Sequence, residues 1–444
     1  HVLDDAAGSN CTGQGGESRG TGGAVLCRVS GTPSGALDTG ATTGSSFPMR
    51  ICFVTTNFPR HVNDGEGAFV WEAARAVAGL GHQVKVVAQH WPGLPTHKWM
   101  ENIEVFRPRY WWPESAEMLR QPGGGLPIVW RRSRLARIQI LPFMIVHTLT
   151  VAQQARDCDV IHAQWSLSAA AACLSHPWHQ RPIVATLHGS DIFQVTTTYW
   201  GGWLTRLILQ RCDRITVVSR ALANAIEGIG LSDVAITIIP NGVDLAQFTP
   251  HYGTRAPLIV YVGSLIPRKG VIYLIQAMAR LVPTHPSLRL VIVGEGIEKP
   301  SLQEAVCRLG IATQVSFVGE ASREQVRSWM QQAKVFVLPS TEEGFGVVLL
   351  EALACATPIV ASQVGGICDV VTPEVGILVP PRDPDALAAA IAQLVDDEKR
   401  WLECSLNARK RAEESYDWHR IALCYQELYQ DLLSQNKHSF MKRA

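Results

Sequence analysis

Short apolar runs alternate with helix-spaced apolar positions along most of this 444-residue chain. Ile51–Thr55 is apolar almost throughout and too short for a helix, so it reads as a strand buried on both faces. Ala68–Leu80 has helical spacing and ends at Gly81, a favourable helix stop. Val84–Ala88 is the next strand, followed by candidates at Val160–Ala163, Ile183–Leu187, Arg214–Val218 and Ile236–Ile239. Helical patterns such as Leu222–Glu227 lie between them. A second series then begins. Its strands are Leu258–Val262, Leu288–Val293, Val315–Phe317, Val335–Leu338 and Ile359–Ala361. Its helices are Val271–Leu281, Val347–Leu353, Pro384–Asp397 and Trp401–Ser415. Strands that alternate with helices predict parallel sheets covered on both faces. Asp244–Ala256, with Pro250 and Gly253, is the expected linker. Two such halves leave a cleft between the carboxyl ends of their strands, where open α/β sheets bind ligands.

Residues 1–48 break the pattern. They are rich in Gly, Ser and Thr, without apolar periodicity, and read as a disordered extension. Met49 opens directly into the first buried strand, which suggests that the extension is not needed for function. Apolar residues make up 47% and charged residues 18%, enough apolar content for two cores. A net charge of +1 supplies no global field for nucleic acid. The eleven cysteines form no CxxC pair, and their odd number argues against a disulfide scaffold. They suit core positions in a reducing cytosol. No uncharged apolar run of about 18 residues predicts a membrane span, and Ile138–Ala152 is too short. No metal site is expected.

The chemistry concentrates in Leu338-Pro339-Ser340-Thr341-Glu342-Glu343-Gly344-Phe345-Gly346-Val347, continuing to Glu351. A buried strand ends, a glycine-bearing loop follows, and a helix opens near Gly346. Unpaired amides at that opening suit an anion. Gly344 and Gly346 allow close approach of backbone to a ligand. Glu351 stands in an apolar run, where a carboxylate needs a strong partner or a ligand. Read alone, both acids also fit a solvated loop and helix face.

The stretch resembles the E-x7-E motif, in the form EGFGxxxxE, of retaining GT-B glycosyltransferases of family 4. Tyr261-Val262-Gly263-Ser264-Leu265-Ile266-Pro267-Arg268-Lys269-Gly270 resembles that family's GRLxxxKG segment, with Ser264 where an Arg is usual. His188, in His188-Gly189-Ser190-Asp191, resembles its HGxD histidine. Weaker matches are Pro240-Asn241-Gly242-Val243-Asp244, Val293-Gly294-Glu295-Gly296, Gly365-Gly366-Ile367-Cys368-Asp369 and Tyr416-Asp417-Trp418.

The resemblance implies two Rossmann-like domains facing each other across a cleft. Residues 49–244 would be the acceptor domain, 245–256 the linker, 257–415 the donor domain and 416–433 a helix returning to the first domain. It implies that Glu351 binds the nucleotide ribose and Glu343 the donor sugar. Amides of Phe345, Gly346 and Val347 would touch sugar and phosphates, with Gly344 also at the substrate, and Lys269 and Arg268 would clamp the diphosphate beside Ser264. His188, with Gly67 or Gly65, would meet them from the other domain. Glu343, His188 and Lys269 are the expected catalytic residues. The implied substrates are a UDP- or GDP-sugar and the hydroxyl of a carbohydrate or lipid-linked acceptor, with no cofactor or metal. Trp111, Trp112, Arg131, Arg132, Arg134 and Arg137 form a candidate surface for peripheral contact with the inner face of a membrane. An epimerase on the same fold, or a non-catalytic nucleotide-sugar binder, is the alternative.

Overall fold

Residues 25–26, 47–62, 64–119, 133–189, 199–231 and 234–441 are described in a computed structural model. The first apolar series forms one sheet. Its strands are β1 (Val25–Leu26), β2 (Arg50–Thr55), β3 (Gln83–Ala88), β4 (His97–Met100), β5 (Ile103–Phe106), β6 (Val160–Gln164), β7 (Ile183–Leu187), β8 (Arg214–Val217) and β9 (Ile236–Ile238). They lie in the order β1-β9-β8-β7-β6-β2-β3-β5-β4. All pairs are parallel except the β4–β5 hairpin. Every residue of β2 after Arg50 is buried, as its unbroken apolar run requires. Val25–Leu26 pairs with β9 inside the segment read as patternless. The rest of 1–46 lies outside the described residues.

The second series gives a six-stranded, all-parallel sheet. Its strands are β10 (Ala256–Val262), β11 (Arg289–Val293), β12 (Val315–Gly319), β13 (Ala333–Leu338), β14 (Ile359–Ser362) and β15 (Gly376–Val379), in the order β12-β11-β10-β13-β14-β15. Helix Val271–Leu281 buries Val271, Leu274, Ile275, Met278 and Leu281, a single apolar stripe at helical spacing. That stripe faces the sheet core and helix Pro384–Asp396.

The final helix, Trp418–Met441, packs on helix Ala68–Gly79 of the first domain. Trp418, Ile421, Tyr425, Tyr429 and Leu432 share one buried cluster with Val70, Trp71, Ala74 and Val77. Each such side chain contributes about 2 kcal/mol by burial, so the helix is docked and ties the two domains together. The helix that closes the second half of the chain thus runs over Trp418–Met441 and lies on the first domain.

One expectation changes. The apolar stretch judged too short to span a membrane belongs to helix Arg134–Gln154, which Ser133 caps through the amide of Ala136 at 3.3 Å. Its 21 residues are long and apolar enough, by composition alone, to cross a membrane. One side nevertheless packs on helix Ser166–His179 and buries Gln139, Phe143, His147 and Val151, so it is built into the first domain.

Candidate functional site

Strand β13 delivers the loop that precedes helix Val347–Ala354. Gly346 caps this helix in a left-handed conformation, and no side chain caps it. The helix therefore opens with unpaired backbone amides. Lys269 closes the short turn Pro267–Lys269, which Thr341 fastens to the loop by donating its amide to the Arg268 carbonyl at 2.8 Å. That fastening sets the Lys269 ammonium 2.5 Å from Glu343 Oε2. Ser340 also donates to this oxygen, at 3.4 Å. Burial alone would raise the pKa of Glu343. Lys269 first, then Arg268 and Ser340, outweigh burial and hold it below the ordinary value. Glu343 is thus a carboxylate held in a buried position by two cations.

Glu351, about one turn into the helix from its start, behaves oppositely. Its carboxylate has no hydrogen-bond partner among the described residues. It lies deep among neighbouring atoms yet keeps an opening to solvent, and burial pushes its pKa up to about 7, opposed only by Arg323. Ser264 is exposed and brings no charge, whereas the half-buried Arg268 lies close enough to act on Glu343. Phe345 is buried, its ring edge-on to Tyr416 at 6.2 Å, so what this residue offers the loop surface is backbone. Val347 is half-buried at the first position of the helix.

The first domain meets this loop directly. A Cβ on Gly344 would lie 2.6 Å from the His188 carbonyl, so only glycine lets the two backbones approach this closely. Ser219 donates to the Gly344 carbonyl at 2.9 Å. The His188 ring lies against Phe69 and Trp165, with centroids 4.8 Å away in each case. Its Nε2 lies 2.7 Å from Gln164 Oε1. Burial pushes its pKa down to about 3, so the ring is neutral at physiological pH. Gly67 caps helix Ala68–Gly79 at φ 69°, and a Cβ there would meet the Asn57 carbonyl at 2.8 Å. Gly65 has open space around it, so the structural demand falls on Gly67.

Glu343, Lys269, Arg268, Gly344 and Gly346 thus form one constellation, with His188 against it and Gly67 two residues from Phe69. Asp191, Arg131 and Arg132 lie outside the described residues. Sequence reading missed the groups that join the domains. Asp369 accepts the Arg220 amide at 2.7 Å, and Arg323 reaches Glu72 at 2.8 Å. Ser219 caps helix Arg220–Glu227, and nothing local in the sequence shows that it also reaches Gly344.

Two family models cover this arrangement. Residues 64–247 match Glycosyltransferase Family 4, and residues 248–411 match Glycosyl transferases group 1. The chain belongs to this glycosyltransferase family. The glycosyltransferase is 28% identical over 397 residues to a glycogen synthase of Mycobacterium tuberculosis, covering 86% of this chain and 94% of that protein. It is 32% identical over 287 residues to a phosphatidyl-myo-inositol mannosyltransferase of the same species, covering 62% of this chain and 74% of the relative. Its fold resembles sucrose-phosphate synthase of Thermosynechococcus elongatus, with TM-score 0.73 at 24% identity over 87% of this chain and all of the other. It also resembles HepE of Anabaena, solved with UDP and glucose, with TM-score 0.65 at 21% identity over 86% of this chain and all of the other. The two sheets, parallel but for the β4–β5 hairpin, and these neighbours establish the GT-B fold.

Proposed function

We propose that this glycosyltransferase moves a sugar, with retention, from a UDP- or GDP-sugar to an acceptor hydroxyl in glycolipid or surface polysaccharide synthesis. The observation that carries the reading is the Glu343–Lys269 pair beside the uncapped start of helix Val347–Ala354, with His188 directly across. The diphosphate lies at that helix start, where amides and Lys269 and Arg268 oppose its charge. Lys269 has three donors, so it can hold Glu343 and a phosphate oxygen together. Glu343 accepts hydrogen bonds from hydroxyls of the sugar, and Glu351 accepts them from the ribose. Names of relatives support the substrate class. They include mannosyltransferases and a glycogen synthase, and a structural neighbour was solved with UDP and glucose.

In the reaction, the bond from the sugar C1 to the diphosphate oxygen breaks. A bond from C1 to the acceptor oxygen forms on the same face, and the acceptor proton passes to the departing phosphate. Lys269, Arg268 and the amides stabilise the charge that grows on the leaving group. No protein nucleophile and no metal takes part in this scheme. Domain apposition through Gly344 and His188 excludes water.

Glu343→Ala tests the reading. Transfer falls by at least about 100-fold while UDP or GDP affinity stays within about threefold. Transfer at the wild-type rate would remove Glu343 from the reaction.

A lipid-linked acceptor is favoured by a surface of the first domain. Ile138, Leu141, Ile145 and Leu149 form an exposed row on helix Arg134–Gln154, with Arg134 and Arg137 at its start. Helix Ser166–His179 packs beside it and exposes Leu174 and Trp178. An apolar row beginning with arginines fits peripheral contact with an anionic membrane. The aromatic part of the earlier expectation moves: Trp112 is exposed, but Trp111 is half-buried.

A further inference from the structure

Gln164 ends β6, is buried, and stands in register with Thr186 on β7, two residues before His188. Its amide joins two histidines. Gln164 Nε2 lies 3.1 Å from His162 Nε2, and Gln164 Oε1 lies 2.7 Å from His188 Nε2. The amide oxygen can only accept, so His188 carries its proton on Nε2. In the neutral ring, Nδ1 is then a bare lone pair. That Nδ1 is buried and meets no donor among the described residues. Contacts with Phe69 and Trp165 hold the ring in place.

The orientation of Gln164 is itself held from behind. His162 is completely buried and lies 2.6 Å from Thr186 Oγ1 through Nε2 and 2.6 Å from the Tyr429 hydroxyl through Nδ1. Thr186 in turn contacts Thr216 through their hydroxyls. Burial first, and His188 second, lower the pKa of His162, so it stays neutral and accepts from Gln164. The chain of contacts runs from the returning C-terminal helix, through the sheet, to the cleft. No element of this network follows from the reaction scheme alone, and a buried His–Gln–His row is costly unless every member is satisfied.

We infer that Gln164 is a positioning residue, backed by His162 and Tyr429, that fixes His188 as the Nε2–H tautomer and presents Nδ1 as a hydrogen-bond acceptor to a hydroxyl of the reacting sugar. This rests on the placement of His188 at that sugar. The C-terminal helix thereby takes part in specifying the site. Among the described residues, the other titratable groups on the elements packed around His188 are His162 beneath it, Tyr425 and Tyr429 behind His162, and the Glu343–Lys269 pair in the apposed loop.

Two substitutions in the full-length chain separate orientation from packing. Gln164→Leu removes the acceptor at similar volume, and kcat falls about tenfold at all pH values while UDP or GDP affinity is unchanged. Gln164→Glu retains an acceptor for Nε2–H and restores kcat at alkaline pH. Its added negative charge raises the His188 pKa, so activity now falls as pH drops through a range where the wild type is flat. Nitrogen-15 spectra of the labelled protein, with His188→Ala to identify the signal, show Nε2 protonated and Nδ1 unprotonated in the wild type. A protonated Nδ1, or wild-type kcat in Gln164→Leu, overturns the inference. If Gln164→Leu does not fold, the pH profile of Gln164→Glu decides, and a profile identical to wild type overturns it. Undiminished transfer by His188→Ala would instead remove His188 from the sugar, and this inference with it.

Discussion

Glu343 and Glu351 share one loop and helix, yet their protonation differs because their neighbours differ. Lys269 at 2.5 Å keeps Glu343 ionised in spite of burial, whereas Glu351 has only the field of Arg323 and rises to about 7. A carboxyl whose folded pKa exceeds its unfolded value of 4.5 binds more protons folded than unfolded across that interval. Stability of the ligand-free protein therefore falls as pH rises from about 4.5 through 7. Glu351→Gln should flatten this part of the profile, by about 2 kcal/mol once its contact with solvent is allowed for, as read from thermal or urea unfolding at pH 5 and pH 8. An unchanged slope would show that Glu351 does not carry it. Gly67→Ala should destabilise the fold by about 1–2 kcal/mol, because the new Cβ meets the Asn57 carbonyl at 2.8 Å and φ is positive; Gly65→Ala serves as the near-neutral control. Glu343, Glu351, Lys269 and the glycines were legible because their spacing lies within single short segments. Gln164 was not, since its meaning comes from His162 and His188 on neighbouring strands, and no linear pattern marks a residue that faces two histidines.

The parallel strands were the most legible elements, since burial on both faces leaves continuous apolar runs. Three helices of the first domain were hidden for identifiable reasons. Pro142 lies inside Arg134–Gln154, Pro177 inside Ser166–His179, and Gly201 and Gly202 inside Tyr199–Leu209, all of which read as breaks. Strand β4 was hidden because its first three residues are exposed, so it shows no apolar run. Helix Arg134–Gln154 carries a prediction of its own. Replacing Ile138, Leu141 and Ile145 together with Asn should lower flotation with phosphatidylglycerol-containing vesicles at least about tenfold and leave nucleotide binding intact. Neutralising Arg134 and Arg137 should also weaken flotation, and more so at low salt, where charge attraction reaches further. Vesicle binding unchanged in both variants would remove the membrane contact.

At the scale of the molecule, the first and second domains are joined by a linker, a docked return helix and a set of contacts across the cleft. Ser219 to Gly344, Arg220 to Asp369, and Arg323 to Glu72 each bring a group of one domain onto the other. The two-domain division was visible from the two strand series, but these contacts were not, because their partners are separated by 125 to 251 residues. Ser219→Ala with Asp369→Ala should raise KM for donor several-fold with a smaller effect on kcat, since these two side chains hold the domains together without touching the transferred sugar. The central claim remains that a sugar nucleotide lies at the start of helix Val347–Ala354 between Glu343 and Glu351. Calorimetric titration of the wild type and Glu351→Ala with UDP, GDP and their sugar conjugates tests it most directly. The account predicts micromolar to millimolar binding of one series, weakened at least tenfold in Glu351→Ala. Binding of neither series, or equal affinity in the two proteins, would contradict it.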